Sequence, residues 1–345
     1  MSPDFLSVLP KSQYRRYNER VIKNLVLQNF RNYSKKIFEF GEGTTLILGP
    51  NAIGKTNILE AINFLATGKS FRATTEQEVI KEGTTVMSVN TDNLEIIFDN
   101  RGRFTKIYRV NGVGKRQMDF VGNLKIVLFC PQDIEIATDS PSIRRKYLNS
   151  VLEQIFKDYR VAVHIYEKAL RQRNRLLWRI REENLDKNQL TYWNELLINN
   201  GKIIHDKRKD YLNYLNLPYD HSIISSERIH RYEDAEIGAA TTLVGPHRDD
   251  FKVVMNNKNI KSFGSRGEQR LAVFNIKLGE LEYIKKTTGE IPVLLLDDIF
   301  SELDHQNRHK VLEIIPKQQT IMTTTDLHLI EKSHLKDFEL IELGV

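Results

Sequence analysis

The chain of 345 residues has a single cysteine, Cys130. One cysteine excludes an internal disulfide and any cysteine-based zinc cluster, and it fits a reducing compartment. The histidines form no cluster with zinc-ligand spacing. No apolar run reaches the roughly 20 residues of a membrane span, so no membrane partner is expected. In the first twenty residues, "MSPDFLSVLPKSQYRRYNER", basic residues follow a short apolar patch, the reverse of a secretory signal. We expect residues 1–20 to be a poorly ordered extension of a soluble cytoplasmic protein. Internal repeats and low-complexity segments are also missing. Charge of one sign is only mildly in excess, at +6. That balance suits an anionic partner such as nucleic acid, but equally a solvated surface of mixed charge.

The length allows one large discontinuous domain or two domains. Strand patterns fill the first part of the chain: "VIKNLVLQNF", "KKIFEF", "TTLIL" and "NLEIIFDN". "KIYRVNGVGKRQ" reads as a hairpin turning at Asn111-Gly112, a pair that accepts the positive φ of a type I′ turn. "LKIVLFCP" reads as a buried strand stopped by Pro131. From Ser142 to Leu215 the pattern is helical. Between Pro141 and Leu215 there are sixteen Lys or Arg against nine Asp or Glu, 16 − 9 = +7, as large as the excess of the whole chain. Strand patterns return in "TTLVG", "DDFKVVMNNKNIKSF" and "IPVLLLDDIF". The organisation predicted is an α/β head of residues 21–140 and 223–345 interrupted by a helical lobe of 141–222. The helix of residues 265–284 is expected to pack near that lobe.

Between "TTLIL" and a helix with Ile58, Leu59, Ile62 and Leu65 on one face lies Gly49-Pro50-Asn51-Ala52-Ile53-Gly54-Lys55-Thr56, which fits G-x-x-x-x-G-K-[ST]. In this Walker A loop, backbone N–H groups wrap a phosphate chain, Lys55 neutralises it and the Thr56 hydroxyl ligates Mg²⁺. Gly49 and Gly54 leave room for the backbone to approach phosphate, and the helix opening near Lys55 turns its positive end to the same anion. The binding segment is taken as Gly49 to Asn57.

In "PVLLLDDIFSELD" an apolar strand ends at two acids, the form of a Walker B strand. Asp297 is expected to hold Mg²⁺ and Asp298 to orient or deprotonate the attacking water. Upstream, Ser265-Arg266-Gly267-Glu268-Gln269 gives S-x-G-x-Q at a helix start, where a hydroxyl and free N–H groups suit a second phosphate contact. An ordinary serine-capped helix gives the same local pattern. Arg171, Arg175 and Arg179 recur at i, i+4 and i+8, with Arg173, Arg181 and Trp178 beside them. They line either a solvated face or a track for DNA phosphates.

Walker A loop, S-x-G-x-Q, twin-acid strand and "SELD", in this order, resemble the ABC-type ATPase set. In that class the signature faces the γ-phosphate on a partner's Walker A loop, so the resemblance implies an ATP-dependent homodimer. "LQNFRNY", "ATGKSFRATTEQEVI", "SPSIRRKYLN", "TTLVGPHRDDFKV" and "PVLLLDDIFSELD" further resemble the RecF family of bacterial DNA replication and repair, from about Val21 to Asp326. The insert is too short for the coiled-coil arm of an SMC-type protein and can fold back as a compact helical lobe.

The RecF resemblance implies a weak, DNA-stimulated ATPase that dimerises with ATP. It also implies binding to duplex DNA near single-strand gaps and help for RecR and RecO in loading RecA. It carries Lys55 and Thr56 over as phosphate and Mg²⁺ ligands, Asp297 and Asp298 as Walker B and catalytic acids, and Ser265, with Gly267 and Gln269, as the trans contact. The wider ABC-type resemblance places Gln132 near Mg²⁺ and water, a position where RecF proteins often carry an acidic residue, and Arg72 of "SFR" falls near nucleotide or DNA, unless it serves a structural salt bridge. "IMTTTD" lacks the histidine of transporter ATPases and leaves Thr325 and Asp326. His247 and Arg248 of "GPHRDD" read as a structural or DNA-proximal network. Two other classes compete. A transporter's nucleotide-binding subunit would need a membrane partner and that histidine. A nuclease-coupled ATPase would need a further acidic cluster, and nineteen residues after Asp326 are few for one.

Overall fold

Alternating apolar residues in "NLVLQNF" and a β-branched run in "TTLIL" place two kinds of sheet side by side in sequence. The computed structural model describes residues 21–330 and 335–344, so the extension expected at 1–20 lies outside it. The described residues form two compact units, 21–132 with 280–344, and Asp133–Gly279.

The first unit holds two sheets. One is antiparallel, built from β1 (Asn24–Phe30), β2 (Tyr33–Glu39), β4 (Val86–Asn90), β5 (Leu94–Asp99), β6 (Thr105–Val110) and β7 (Val113–Lys115) in the order β2-β1-β4-β5-β6-β7. The β6–β7 turn has Asn111 at φ 52° and Gly112 at φ 76°, the positive pair expected of that hairpin. The other sheet is parallel, with β3 (Thr44–Leu48), β8 (Ile126–Phe129), β13 (Val293–Asp297), β14 (Thr320–Thr324) and β15 (Phe338–Glu342) in the order β15-β3-β14-β13-β8.

The P-loop helix, Lys55–Thr67, packs against strands of both sheets. Its apolar stripe is therefore wider than the four residues read from the sequence. Ala61, Phe64 and Ala66 are buried as well, and the core joins Leu25 and Phe98 of one sheet to Ile47, Leu295 and Ile321 of the other. A helix covered on two sides hides residues that an amphipathic pattern assigns to solvent.

In the second unit, helices Pro141–Ile155, Lys157–Glu183, Thr191–Tyr214 and Ser226–Ala239 are joined by the short strand pair β9 (Tyr219–Asp220) and β10 (Asp250–Phe251), and by the hairpin β11 (Val254–Met255) to β12 (Lys258–Asn259). The segment 223–279, assigned above to the head, falls in this unit, as does 133–140. Ion pairs of two buried arginines bind that segment to the helices. Arg208 contacts Asp249 at 3.0 Å, and Arg144 contacts Asp250 at 2.6 Å.

"TTLVG" is not a strand. Its amides are taken by side chains instead: Thr242 N donates to Asn174, Leu243 N to Glu236 and Gly245 N to Ser222. A backbone satisfied this way has no ladder to join.

Candidate nucleotide site

The P-loop and the twin acids meet at the carboxyl ends of parallel strands, where open α/β sheets hold ligands. β14 lies between β3, which leads into the loop, and β13, which ends at Asp297. Thr56 Oγ1 donates to Asp297 Oδ1 at 2.9 Å, and Thr323 Oγ1 from β14 donates to the same oxygen at 2.9 Å. Two residues 241 apart in sequence thus share one hydrogen bond. Thr323 was not singled out from the sequence, which drew attention to Thr325. The register pairs Thr323 with Asp297, and no local motif announces that.

The loop has the backbone an anion cradle needs. Ala52 and Gly54 have φ of 65° and 116°, and the helix begins at Lys55 with no side-chain cap on its free N–H groups. Lys55 Nζ donates to the carbonyls of Gly49 at 2.7 Å and Pro50 at 2.9 Å. Burial pulls its ammonium below the ordinary lysine range, while Asp298 and Asp297 push the other way. Asp297 is raised by burial, against hydrogen bonds from Thr56 and Thr323 and the charge of Arg72. Each charged form is thus under-solvated, a condition that a phosphate beside Lys55 and a cation beside Asp297 would relieve.

Asp298 sits at φ 49°, its amide held by Thr323 Oγ1 at 3.0 Å. Its Oδ2 accepts from Ser301 at 3.2 Å, whereas Oδ1 is buried with no protein partner. Among the described residues no three His, Cys, Asp or Glu side chains converge on a metal position. Thr56 and Asp297, completed by phosphate oxygens, make the donor set that Mg²⁺ takes in nucleotide sites.

Gln132 is exposed and lies just beyond β8, the strand next to β13. Arg72 donates to Asn57 Oδ1 at 2.9 Å and lies 3.7 Å from Glu60, so it stands beside the loop. Asp304 caps the helix His305–Ile314 through Asn307 N at 2.8 Å, and Asp326 accepts from His328 N at 2.8 Å.

In the second unit, Ser265 and Glu268 form a reciprocal cap. Ser265 N donates to Glu268 Oε2 at 2.8 Å, and Glu268 N to Ser265 Oγ at 3.3 Å. These bonds hold the Glu268 carboxyl below its usual range. Gln269 closes the turn by donating to Gly264 O at 3.2 Å, and both Ser265 and Gly267 remain exposed.

The arginine series divides. Arg171 and Arg175 are exposed, while Arg179 pairs with Glu183 at 2.9 Å and Arg181 with Glu182 at 2.7 Å. Arg173 leaves the series altogether: fully buried, it bonds Glu236 at 2.6 Å, Asn194 at 2.7 Å and Thr242 at 2.8 Å. His247 bonds Tyr166 OH at 2.8 Å and Thr242 O at 3.0 Å, and burial pushes its imidazole down to about 4, which suits a neutral structural bridge.

A P-loop on a parallel sheet, faced by twin acids and accompanied by a capped S-x-G-x-Q turn, defines an ABC-type ATPase head of the SMC-like kind. The RecF/RecN/SMC N-terminal domain family matches residues 21–337. More narrowly, the chain belongs to the RecF family of DNA replication and repair proteins. RecF of Lactococcus lactis subsp. cremoris is 36% identical over 346 residues, 92% of this chain and 94% of that protein. RecF of Enterococcus faecalis is 33% identical over 365 residues, 93% of this chain and 95% of that protein. A solved structure of the recombination mediator protein RecF with ATP in the RecFOR pathway matches with a TM-score of 0.82 at 33% identity, covering 90% of this chain and 93% of that one. Among the described residues no helix is long and apolar enough to cross a membrane.

Proposed function

We propose that the chain is an ATP-gated DNA-binding factor of recombinational repair, in which two heads close around ATP on duplex DNA near single-strand gaps and slow hydrolysis times their release. The carrying observation is the bond from Thr56 to Asp297, which joins Walker A and Walker B in one head. Lys55 and the backbone N–H groups of Gly49 to Asn57, Pro50 excepted, would bind the phosphate chain, and Thr56 with Asp297 would hold Mg²⁺, which would supply charge neutralisation on the phosphates. Asp298, next to Asp297 at the end of β13, would accept the proton of the attacking water, with Gln132 a second candidate for orienting that water. RecR and RecO are the partners suggested by the neighbour described in the RecFOR pathway, and help in loading RecA is the outcome proposed for them.

Ser265, capped by Glu268 and exposed, is suited to a phosphate presented by a second copy. Ser265→Arg is expected to bind ATP yet remain monomeric by light scattering, whereas wild type doubles its mass with ATP. A variant that dimerises like wild type would remove the trans contact from the mechanism. Duplex binding is assigned to the face bearing Arg171 and Arg175, with Arg179 shared with Glu183 and Arg72 a further candidate. Reversing Arg171, Arg175 and Arg179 to Glu should weaken duplex binding at least about tenfold. It should also flatten the salt dependence, since each lost phosphate contact removes about 0.9 from the slope of log K against log salt. Titrations at several salt concentrations check this, and an unchanged slope returns the face to solvent.

A further inference from the structure

Nothing in the Walker motifs explains what holds the cradle in shape from behind. In a trans peptide the carbonyl and the following N–H point in opposite directions, so a group that fixes one aims the other. Asn32 Nδ2 donates to Ile53 O at 2.9 Å, and Tyr33 OH donates to Gly54 O at 3.3 Å. These two carbonyls precede the amides of Gly54 and Lys55, which face the opposite side, open to an anion. Gly54 O also accepts from Asn57 N at 2.9 Å and Ile58 N at 3.3 Å, so Tyr33 reinforces a carbonyl that the helix begins to orient, whereas Asn32 grips Ile53 O. The packing is close enough that a Cβ on Gly54 would meet Asn32 Nδ2 at 2.7 Å and the Tyr33 hydroxyl at 2.8 Å.

Asn32 is itself held in a ring of side chains. Its Oδ1 accepts from Asn57 Nδ2 at 2.8 Å, and Asn57 Oδ1 accepts from Arg72 at 2.9 Å. Arg72 lies 3.7 Å from Glu60, which is fully buried and takes both Nε and Nη2 of Arg31 at 3.0 and 2.6 Å. Arg31 precedes Asn32 in the chain, and the ring closes. Arg31 holds φ 52°, an uncommon conformation for a branchless cationic residue, which its bidentate pair with Glu60 sustains. Tyr33 is fixed edge-on to Phe38 with ring centroids 5.6 Å apart.

We propose that Asn32 and Tyr33, in the β1–β2 turn, are positioning residues that grip the outer carbonyls of the P-loop and so preset its phosphate-binding amides, with the Arg31–Glu60–Arg72–Asn57 ring fixing their placement. The inference rests on the nucleotide reading of that loop. It predicts that the nucleotide's phosphates, and not its base, feel the loss of the grip.

The test is an equilibrium titration of the full chain with Mg²⁺-ATP and Mg²⁺-ADP, alongside thermal melting of the nucleotide-free protein. Asn32→Ala is expected to weaken both nucleotides by the same factor, about tenfold for a lost polar grip, and to leave the melting temperature within about 2 °C of wild type. Tyr33→Phe, which removes one hydroxyl, should show a smaller loss of the same kind, and it serves as the probe if Asn32→Ala does not fold. Affinities equal to wild type in both variants would overturn the proposal. So would an affinity loss that merely tracks a lowered melting temperature, since that marks a structural role. If wild type itself bound neither nucleotide, the proposed function would fall first and this inference with it.

Discussion

Lys55→Ala should abolish ATP binding in practice, raising Kd by about 30- to 4,000-fold, because truncating one member of a buried charge pair costs roughly 2–5 kcal/mol. The local balance of charge explains why the effect is large. Lys55 is buried and faces Asp297 and Asp298, whose charges favour its ammonium against the cost of burial. Without it, two carboxylates at the end of β13 confront an incoming triphosphate, and Arg72, drawn toward Glu60 and Asn57, is the cation left beside the loop. Repulsion then adds to the lost attraction. Calorimetric titration with Mg²⁺-ATP checks it, and a Kd within about threefold of wild type, under 1 kcal/mol, would mean that the loop is not the phosphate site.

Asp298→Asn should do the opposite to binding and as much to turnover: ATP is retained, hydrolysis falls about 10²–10⁴-fold, the range of a lost general base, and the ATP-closed dimer accumulates. The substitution is unusually clean. Asp298 occupies left-handed backbone at φ 49°, which asparagine tolerates as readily as aspartate, and its amide bond to Thr323 does not depend on the side chain. The change removes a charge and a proton acceptor at the buried Oδ1, little else. Phosphate release and light-scattering mass in no nucleotide, ADP and ATP measure the two halves. Wild-type turnover would take Asp298 out of the chemistry, and a mass indifferent to ATP would remove the clamp while leaving the pocket.

Some of this molecule was legible because its chemistry is local. A phosphate cradle needs glycines, lysine and a hydroxyl within one turn of chain, so Gly49 to Thr56 carries its own signal. The hairpin at Asn111-Gly112 is equally local, since two successive positive φ angles select those residues. Arg173 shows the limit. Helical spacing places it beside Arg171 and Arg175, but a turn of the helix face toward Glu236 and Thr242 buries it, and periodicity is blind to a partner 63 residues away. "TTLVG" failed for a related reason, its β-branched residues being overruled by side-chain acceptors, Asn174 from a distant helix and Glu236 from the helix just before it.

By itself, then, the sequence determined the ABC-type head fold, the Walker A loop and the twin-acid strand as motifs, and the family, because each rests on spacings of a few residues that backbone geometry enforces. Only the tertiary structure decided that Thr323 stands between the two motifs, that Asn32 and Tyr33 hydrogen-bond the carbonyls of Ile53 and Gly54, and which arginines reach solvent. Those depend on the strand order β15-β3-β14-β13-β8 and on burial, which bring together residues whose separation along the chain leaves no periodic trace.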